Sequence, residues 1–282
     1  MTRRLATLAA AWLLVAPVSA EVASDGRITG ALESLDPQRP GTVDAYVIVA
    51  ALDTDPVFNR EAREAGRVLA GRFGAQGRTI TLAEDEGGDR AAAAGTPADL
   101  ALAIDRAGAL MDKKEDVLVL YTTSHGGPRS GLSYKHELYG SGVITPGKLS
   151  AMLDKSGAQN RLVILQACFS GQFVPALAGP RTVVLTAASS MKSSFGCSAS
   201  NDWTFFGHAF VNQALRTRDT LARQFRRAVV TIIGWEEKLH IESSNPQISI
   251  GKDTAGWLAS LDAQVQPVSP TPAGNPPSEL SN

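Results

Sequence analysis

The chain has 282 residues, 44% hydrophobic and 20% charged, with 27 basic and 28 acidic side chains and a formal net charge of −1. That balance leaves no basic stripe for nucleic acid, and the length suffices to bury the core of one large α/β domain. Two cysteines and four histidines fall in no spacing that matches a zinc site, so no metal is expected.

The first twenty residues, MTRRLATLAAAWLLVAPVSA, run from two arginines through an apolar stretch, Leu5 to Val15, to Pro17 and the small-residue ending Val18-Ser19-Ala20. This is the layout of a secretory signal peptide, with cleavage expected after Ala20 and a secreted or periplasmic product. The apolar run is too short for a membrane span, and no later stretch approaches about 18 apolar residues. Without these residues 25 basic side chains face 28 acidic ones, a net charge of −3. Residues 21–40 read as a flexible leader or short propeptide, and residues 41–264 as the folded domain.

Within that domain, apolar β-branched runs alternate with helix-like segments, the pattern of βαβ units around a mostly parallel sheet. Residues 43–52 (VDAYVIVAAL) read as the first buried strand. Residues 60–73 form a helix, with Ala62, Ala65, Leu69 and Phe73 spaced to share a face. A short strand at 79–82 leads into a polar loop, EDEGGDRAAAAG. Thr96-Pro97 then caps and opens a helix running to about residue 111. Residues 116–122 (DVLVLYT) are apolar through their middle, as in a strand covered on both faces. They empty into SHGGPRSG, a loop. A small hairpin at 131–143 follows, and Thr145-Pro146 starts another helix. Residues 161–167 form the strand before Cys168, and 181–187 a further strand. Helices are expected over 203–215 and 220–240, and a last strand over 245–250. The ending VQPVSPTPAGNPPSELSN, 265–282, is too rich in Pro, Ser and Gly to pack and reads as a disordered tail.

Two of these strands end in reactive residues, His125 after 116–122 and Cys168 after 161–167. Ligands of open α/β sheets collect at the carboxyl ends of the strands, so parallel, adjacent strands would bring imidazole and thiol to one edge. There an imidazole can take the thiol's proton and activate it as a nucleophile. Gly126 and Gly127 leave room for a substrate backbone and can offer N–H groups to a developing oxyanion. The N–H of Cys168 is a second candidate donor. Taken alone, Cys168 reads more readily as an inert core thiol, because free cysteine is a small hydrophobe. The order strand-His-Gly, then strand-Ala-Cys-x-Ser-Gly, turns the reading towards catalysis.

Gln166-Ala167-Cys168 also begins like the caspase signature Gln-Ala-Cys-x-Gly, except that Phe169 and Ser170 separate the cysteine from Gly171. "TSHGG" followed by "ILQACFSG" resembles the legumain family of asparaginyl cysteine endopeptidases, relatives of caspases. "TAASSMKSSFGC" (186–197), "NDWTFF" (201–206) and "FNREAREAGRVL" (58–69) are similar to further segments of that family, so the likeness spans residues 43–214. It implies a caspase-like three-layer α/β/α sandwich and a peptide or protein substrate cleaved without a cofactor. It further implies His125 and Cys168 as the catalytic dyad, Gly126 in the oxyanion hole, and Arg60, Asp202, Ser193 and Ser194 lining the pocket for the recognised side chain. An arginine and an aspartate suit an amide, one donating to its carbonyl and the other accepting from its NH2.

Three positions depart from the family. Gln166 stands where legumains usually have Glu, which removes a charge from that pocket. Ser124 replaces a frequent Asp before the histidine. The family's Asn two positions before the pocket arginine falls on Phe58, with Asn59 next door, so a third catalytic member has no assignment. Cys197 reads either as a buried free thiol or as a disulfide partner of Cys168. A transpeptidase using the same acyl-enzyme, or a peptide-binding module without catalysis, are the alternative readings.

Overall fold

The computed structural model describes residues 24, 26–85, 91–264 and 269–280. The expected signal peptide and the middle of the loop 84–95 lie outside the described residues. In chain order the elements are α1 (Ile28–Glu33), β1 (Ala45–Ala51), α2 (Pro56–Arg72), β2 (Thr79–Leu82), α3 (Pro97–Leu110), β3 (Val117–Thr123), β4 (Gly126–Gly127), β5 (Gly131–His136), β6 (Gly140–Ile144), α4 (Pro146–Ser156), β7 (Asn160–Gln166), α5 (Val174–Leu177), β8 (Thr182–Thr186), α6 (Leu221–Lys238), β9 (Gln247–Ile250) and α7 (Ala255–Ala263). The sheet order is β2-β1-β3-β7-β8-β9. All neighbours are parallel except β8 and β9. This is the α/β sandwich with a mostly parallel sheet that the alternation of elements implies.

Successive strand residues point to opposite faces, and here both faces are apolar. Val47, Val49, Val119, Tyr121, Ile164 and Leu185 pack on the layer that holds α2, α6 and α7. Tyr46, Ile48, Leu118, Leu120, Val163 and Val184 pack on the layer that holds α1, α3 and α4. Every residue of β1, β3 and β8 is buried, which is why these strands read as unbroken apolar runs. The two Thr-Pro starts behave as the sequence indicates: Thr96 accepts a hydrogen bond from Asp99 N at 3.0 Å and Thr145 one from Lys148 N at 3.2 Å, each with Pro at the first helical position. Among the described residues no helix is long and apolar enough to cross a membrane.

Several stretches differ from the sequence expectation. Part of the supposed flexible leader is tied to the domain: Ile28 and Leu35 are buried, Asp36 N donates to Gly77 O at 2.8 Å, and Asp36 O accepts from the Tyr46 hydroxyl at 3.0 Å. The helix expected over 203–215 is interrupted. Thr204 is held by two hydrogen bonds to Glu61, each 2.8 Å, and the coil that follows widens to π geometry over Gly207–Gln213 before a tighter turn at Ala214–Arg216. A Cβ on Gly207 would lie 2.1 Å from the Glu61 carboxylate, so the turn is shaped by that buried acid and not by helix periodicity. Helix α7, which buries Trp257 and Leu261, has no counterpart in the sequence reading.

The ending expected to be disordered lies against the domain over residues 269–280. Trp203 Nε1 donates to Ala273 O at 2.8 Å, Asn212 and Ala273 exchange two hydrogen bonds of 2.9 Å, and Ser278 N donates to Asn201 Oδ1 at 2.9 Å. Polar groups at the domain surface hold the backbone of this segment.

Candidate active site

Strands β3 and β7 are in-register neighbours, with Thr123 opposite Gln166. The pairing continues one residue further, where Ser124 N donates to Gln166 O at 3.1 Å. His125 and Cys168 therefore leave the same edge of the sheet from adjacent strands. The two turns also touch: a Cβ on Gly126 would lie 2.1 Å from the Cys168 carbonyl oxygen and 3.1 Å from Ala167 Cβ. Only glycine permits that approach.

After His125 the chain joins the small antiparallel sheet β4-β5-β6. Ser133 N donates to His125 O at 2.9 Å, and bonded and non-bonded pairs alternate along an antiparallel ladder. The pair Gly126 and Leu132 is consequently of the non-bonded kind, and the Gly126 N–H is directed away from β5.

The cysteine turn is fixed by segment 188–194. Phe169 adopts the left-handed conformation with φ +58 and donates its N–H to Lys192 O at 2.8 Å. Ser170 Oγ accepts from Ala188 N at 3.2 Å and Gly171 N donates to Ala188 O at 2.9 Å. A Cβ on Gly171 would lie 2.6 Å from Ser190 N, which accounts for the Ser-Gly that follows the cysteine. The Cys168 sulfur, half-buried, accepts from Ser194 N at 3.2 Å and approaches Ser194 O at 3.4 Å.

His125 is half-exposed, and its Nε2 lies 2.9 Å from Asp55 Oδ2. The buried Phe58 ring meets the imidazole edge-on, at 4.9 Å between centroids and 90° between planes. Asp55 has no role in the sequence reading because that reading starts the helix at residue 60, whereas α2 begins at Pro56 with Asp55 as its N-cap. Nothing in the sequence marks it as a partner for a histidine 70 residues away.

The residues expected to line the substrate pocket are placed as follows. Arg60 and Asp202 are brought together, Nε to Oδ1 at 3.1 Å, and the Arg60 guanidinium also donates to Asn201 O at 2.7 Å. The second Asp202 oxygen accepts from Asn275, from its backbone N at 2.8 Å and from Nδ2 at 3.3 Å. Ser193 is exposed, and Ser194 is buried with its backbone at the sulfur. Gln166 is fully buried, its amide beside the Cys197 thiol without a well-formed hydrogen bond at either amide atom. Both cysteines are free, so the disulfide alternative does not describe this structure. Burial, and secondarily the nearby Cys168 sulfur, push the Cys197 thiol up to about 12.

Glu61, also outside the sequence reading, ties these parts together. It is fully buried and accepts from the Tyr121 hydroxyl at 2.7 Å and from Thr204 N and Oγ1. Burial raises its carboxyl, against the opposing pull of these donors. The bonds join α2, β3 and the segment that carries Asp202.

A solved structure of caspase-1 from Spodoptera frugiperda superposes on the chain with a TM-score of 0.51 at 13% sequence identity, covering 77% of this chain and 92% of that one. At that identity the likeness speaks for the fold alone. No curated protein matches the chain. The model of the peptidase C13 family, the legumain family, matches residues 98–256. That span includes the turns that carry His125 and Cys168, the segment 188–204 and more than half of the sequence: the chain belongs to the peptidase C13 family.

Proposed function

We propose that the protein is an exported cysteine endopeptidase that cleaves peptide bonds through an acyl-thioester on Cys168. The observation that carries this reading is the in-register pairing of β3 and β7, which delivers His125 and Cys168 to one edge with Gly126 seated against the cysteine's carbonyl. The thiol proton passes to His125 as sulfur attacks the scissile carbonyl carbon. The resulting oxyanion is met by the N–H groups of Gly126 and Cys168, donors that are in place before charge develops. As the C–N bond breaks, the imidazolium returns the proton to the leaving amine, and water then hydrolyses the thioester with His125 as base. Arg60 and Asp202 recognise a polar side chain, an amide being the group that matches one donor and one acceptor.

The test is peptide-library cleavage by the purified protein alongside Cys168→Ala. Hydrolysis that disappears in a folded Cys168→Ala protein supports the assignment, and hydrolysis that persists refutes it. Export rests on the first twenty residues, and N-terminal sequencing of protein recovered from outside the cytoplasm should begin at Glu21.

A further inference from the structure

We propose that Asp55 is the positioning residue of the dyad, fixing the orientation and tautomer of His125. This rests on the reading of His125 and Cys168 given above. Asp55 is the N-cap of α2, with Pro56 at the first helical position, φ −57 and ψ 128. An aspartate there ordinarily accepts a hydrogen bond from the backbone of its own first turn. Asp55 makes no such bond. Its carboxylate is turned across to His125 Nε2 at 2.9 Å. Where a side chain forgoes its local role without local compensation, function is the usual reason.

The backbone beneath the carboxylate is held on several sides. Asp55 N donates to Asp53 Oδ1 at 3.1 Å. Asn59 Nδ2 donates to Asp55 O at 3.2 Å, and Asn59 Oδ1 accepts from Glu84 N at 2.8 Å. Phe58 lies three residues after Asp55 and hence on the same side of the helix. Its ring stands edge-on to the imidazole and carries no acceptor. One helical turn therefore supplies both an apolar wall and an anionic acceptor to His125.

A neutral ring that donates Nε2–H to Asp55 leaves Nδ1 as the base. When Nδ1 takes the Cys168 proton, the imidazolium charge sits next to a carboxylate, and when it gives that proton to the leaving amine the neutral tautomer is restored. Asp55 itself gains and loses no proton. Both side chains are partly exposed, 44% for His125 and 40% for Asp55, so water competes with the contact. The effect is accordingly smaller than for a fully buried aspartate of a catalytic triad.

The experiment uses full-length protein with Asp55→Ala and Asp55→Asn. Asp55→Ala should lower kcat about 10- to 100-fold with KM little changed, and Asp55→Asn, which keeps an acceptor oxygen without the charge, should fall between. Neither should lower Tm, because the side chain caps nothing. In a Cys168→Ala background, 15N-histidine spectra at a pH where the ring is neutral should report one His125 tautomer while Asp55 is present, and a mixture once Asp55→Ala removes the acceptor. Unchanged kcat, or an unmoved tautomer signature, overturns the proposal. If Asp55→Ala does not fold, Asp55→Asn carries the kcat comparison, a fall supporting the proposal and the parent kcat overturning it. Hydrolysis that survives Cys168→Ala would instead sink the proposed function, and the tautomer measurement would still judge Asp55.

Discussion

Replacing Gly126 by alanine tests whether the two reactive turns work as a unit. The added methyl would sit 2.1 Å from the Cys168 carbonyl oxygen, with Ala167 Cβ a further 3.1 Å neighbour. Neither obstacle is the free end of a flexible side chain, since one is backbone and the other is fully buried. The turns must therefore separate by about 1 Å, a displacement that costs roughly 100-fold in rate when it misaligns reacting groups. Because overpacking also strains the fold, stability should fall by about 1–3 kcal/mol. The Gly127→Ala variant is the control: its methyl would meet only the Ser130 hydroxyl, at 2.4 Å, which can rotate away, so it should lose far less. Steady-state hydrolysis of a peptide substrate gives kcat for both, and urea unfolding gives their stabilities. A Gly126→Ala protein with the parent kcat would refute the idea that close apposition of these turns sets the reaction geometry.

The two cysteines should differ sharply in reactivity. With its thiol at about 12, Cys197 stays protonated near neutral pH and the thiolate is the nucleophile, so iodoacetamide should modify Cys168 first, and equal labelling by peptide mass spectrometry would contradict the structure. Glu61→Ala leaves the Tyr121 hydroxyl and both Thr204 donors without their acceptor, and should destabilise the protein by about 2–5 kcal/mol in urea unfolding; a loss under about 1 kcal/mol would remove Glu61 from its structural role. Burial lowers His208 to about 4, so the unfolded chain binds its proton at higher pH than the folded one. Its contribution is complete above about pH 6.5 and is lost as pH falls towards 4, on the order of 3 kcal/mol in all. His208→Asn should flatten the pH dependence of stability across that window, and an unchanged slope would exclude this group. Truncation after Gln264 removes the Asn275 contacts to Asp202; if substrate amides use the same oxygen, KM should fall, whereas an unchanged KM would place the substrate elsewhere on Asp202.

What could be read beforehand follows from the range of the interactions. Strands β1, β3, β7 and β8 were evident because burial on both faces demands consecutive apolar residues, and the Thr-Pro helix starts because a cap bond closes within three residues. Local order also placed His125 and Cys168 at strand ends and marked the glycines beside them. The wide turn after Thr204, by contrast, depends on Glu61 from another helix, and the docking of 269–280 depends on side chains of Asn201, Asp202, Trp203 and Asn212. Composition carries no trace of either.

The order of residues along the chain was enough for the parallel α/β architecture, for the family, and for the identity of a cysteine and a histidine that could react. It took the closed fold to establish that β3 and β7 are neighbours, that Gly126 must lie against the cysteine's backbone, that Cys197 is free and only partly exposed, and that His125 has Asp55 for a partner. Periodicity and capping are written within a few residues of each other, whereas register between strands and contacts between helices are set by which buried surfaces fit when the whole chain closes on its core.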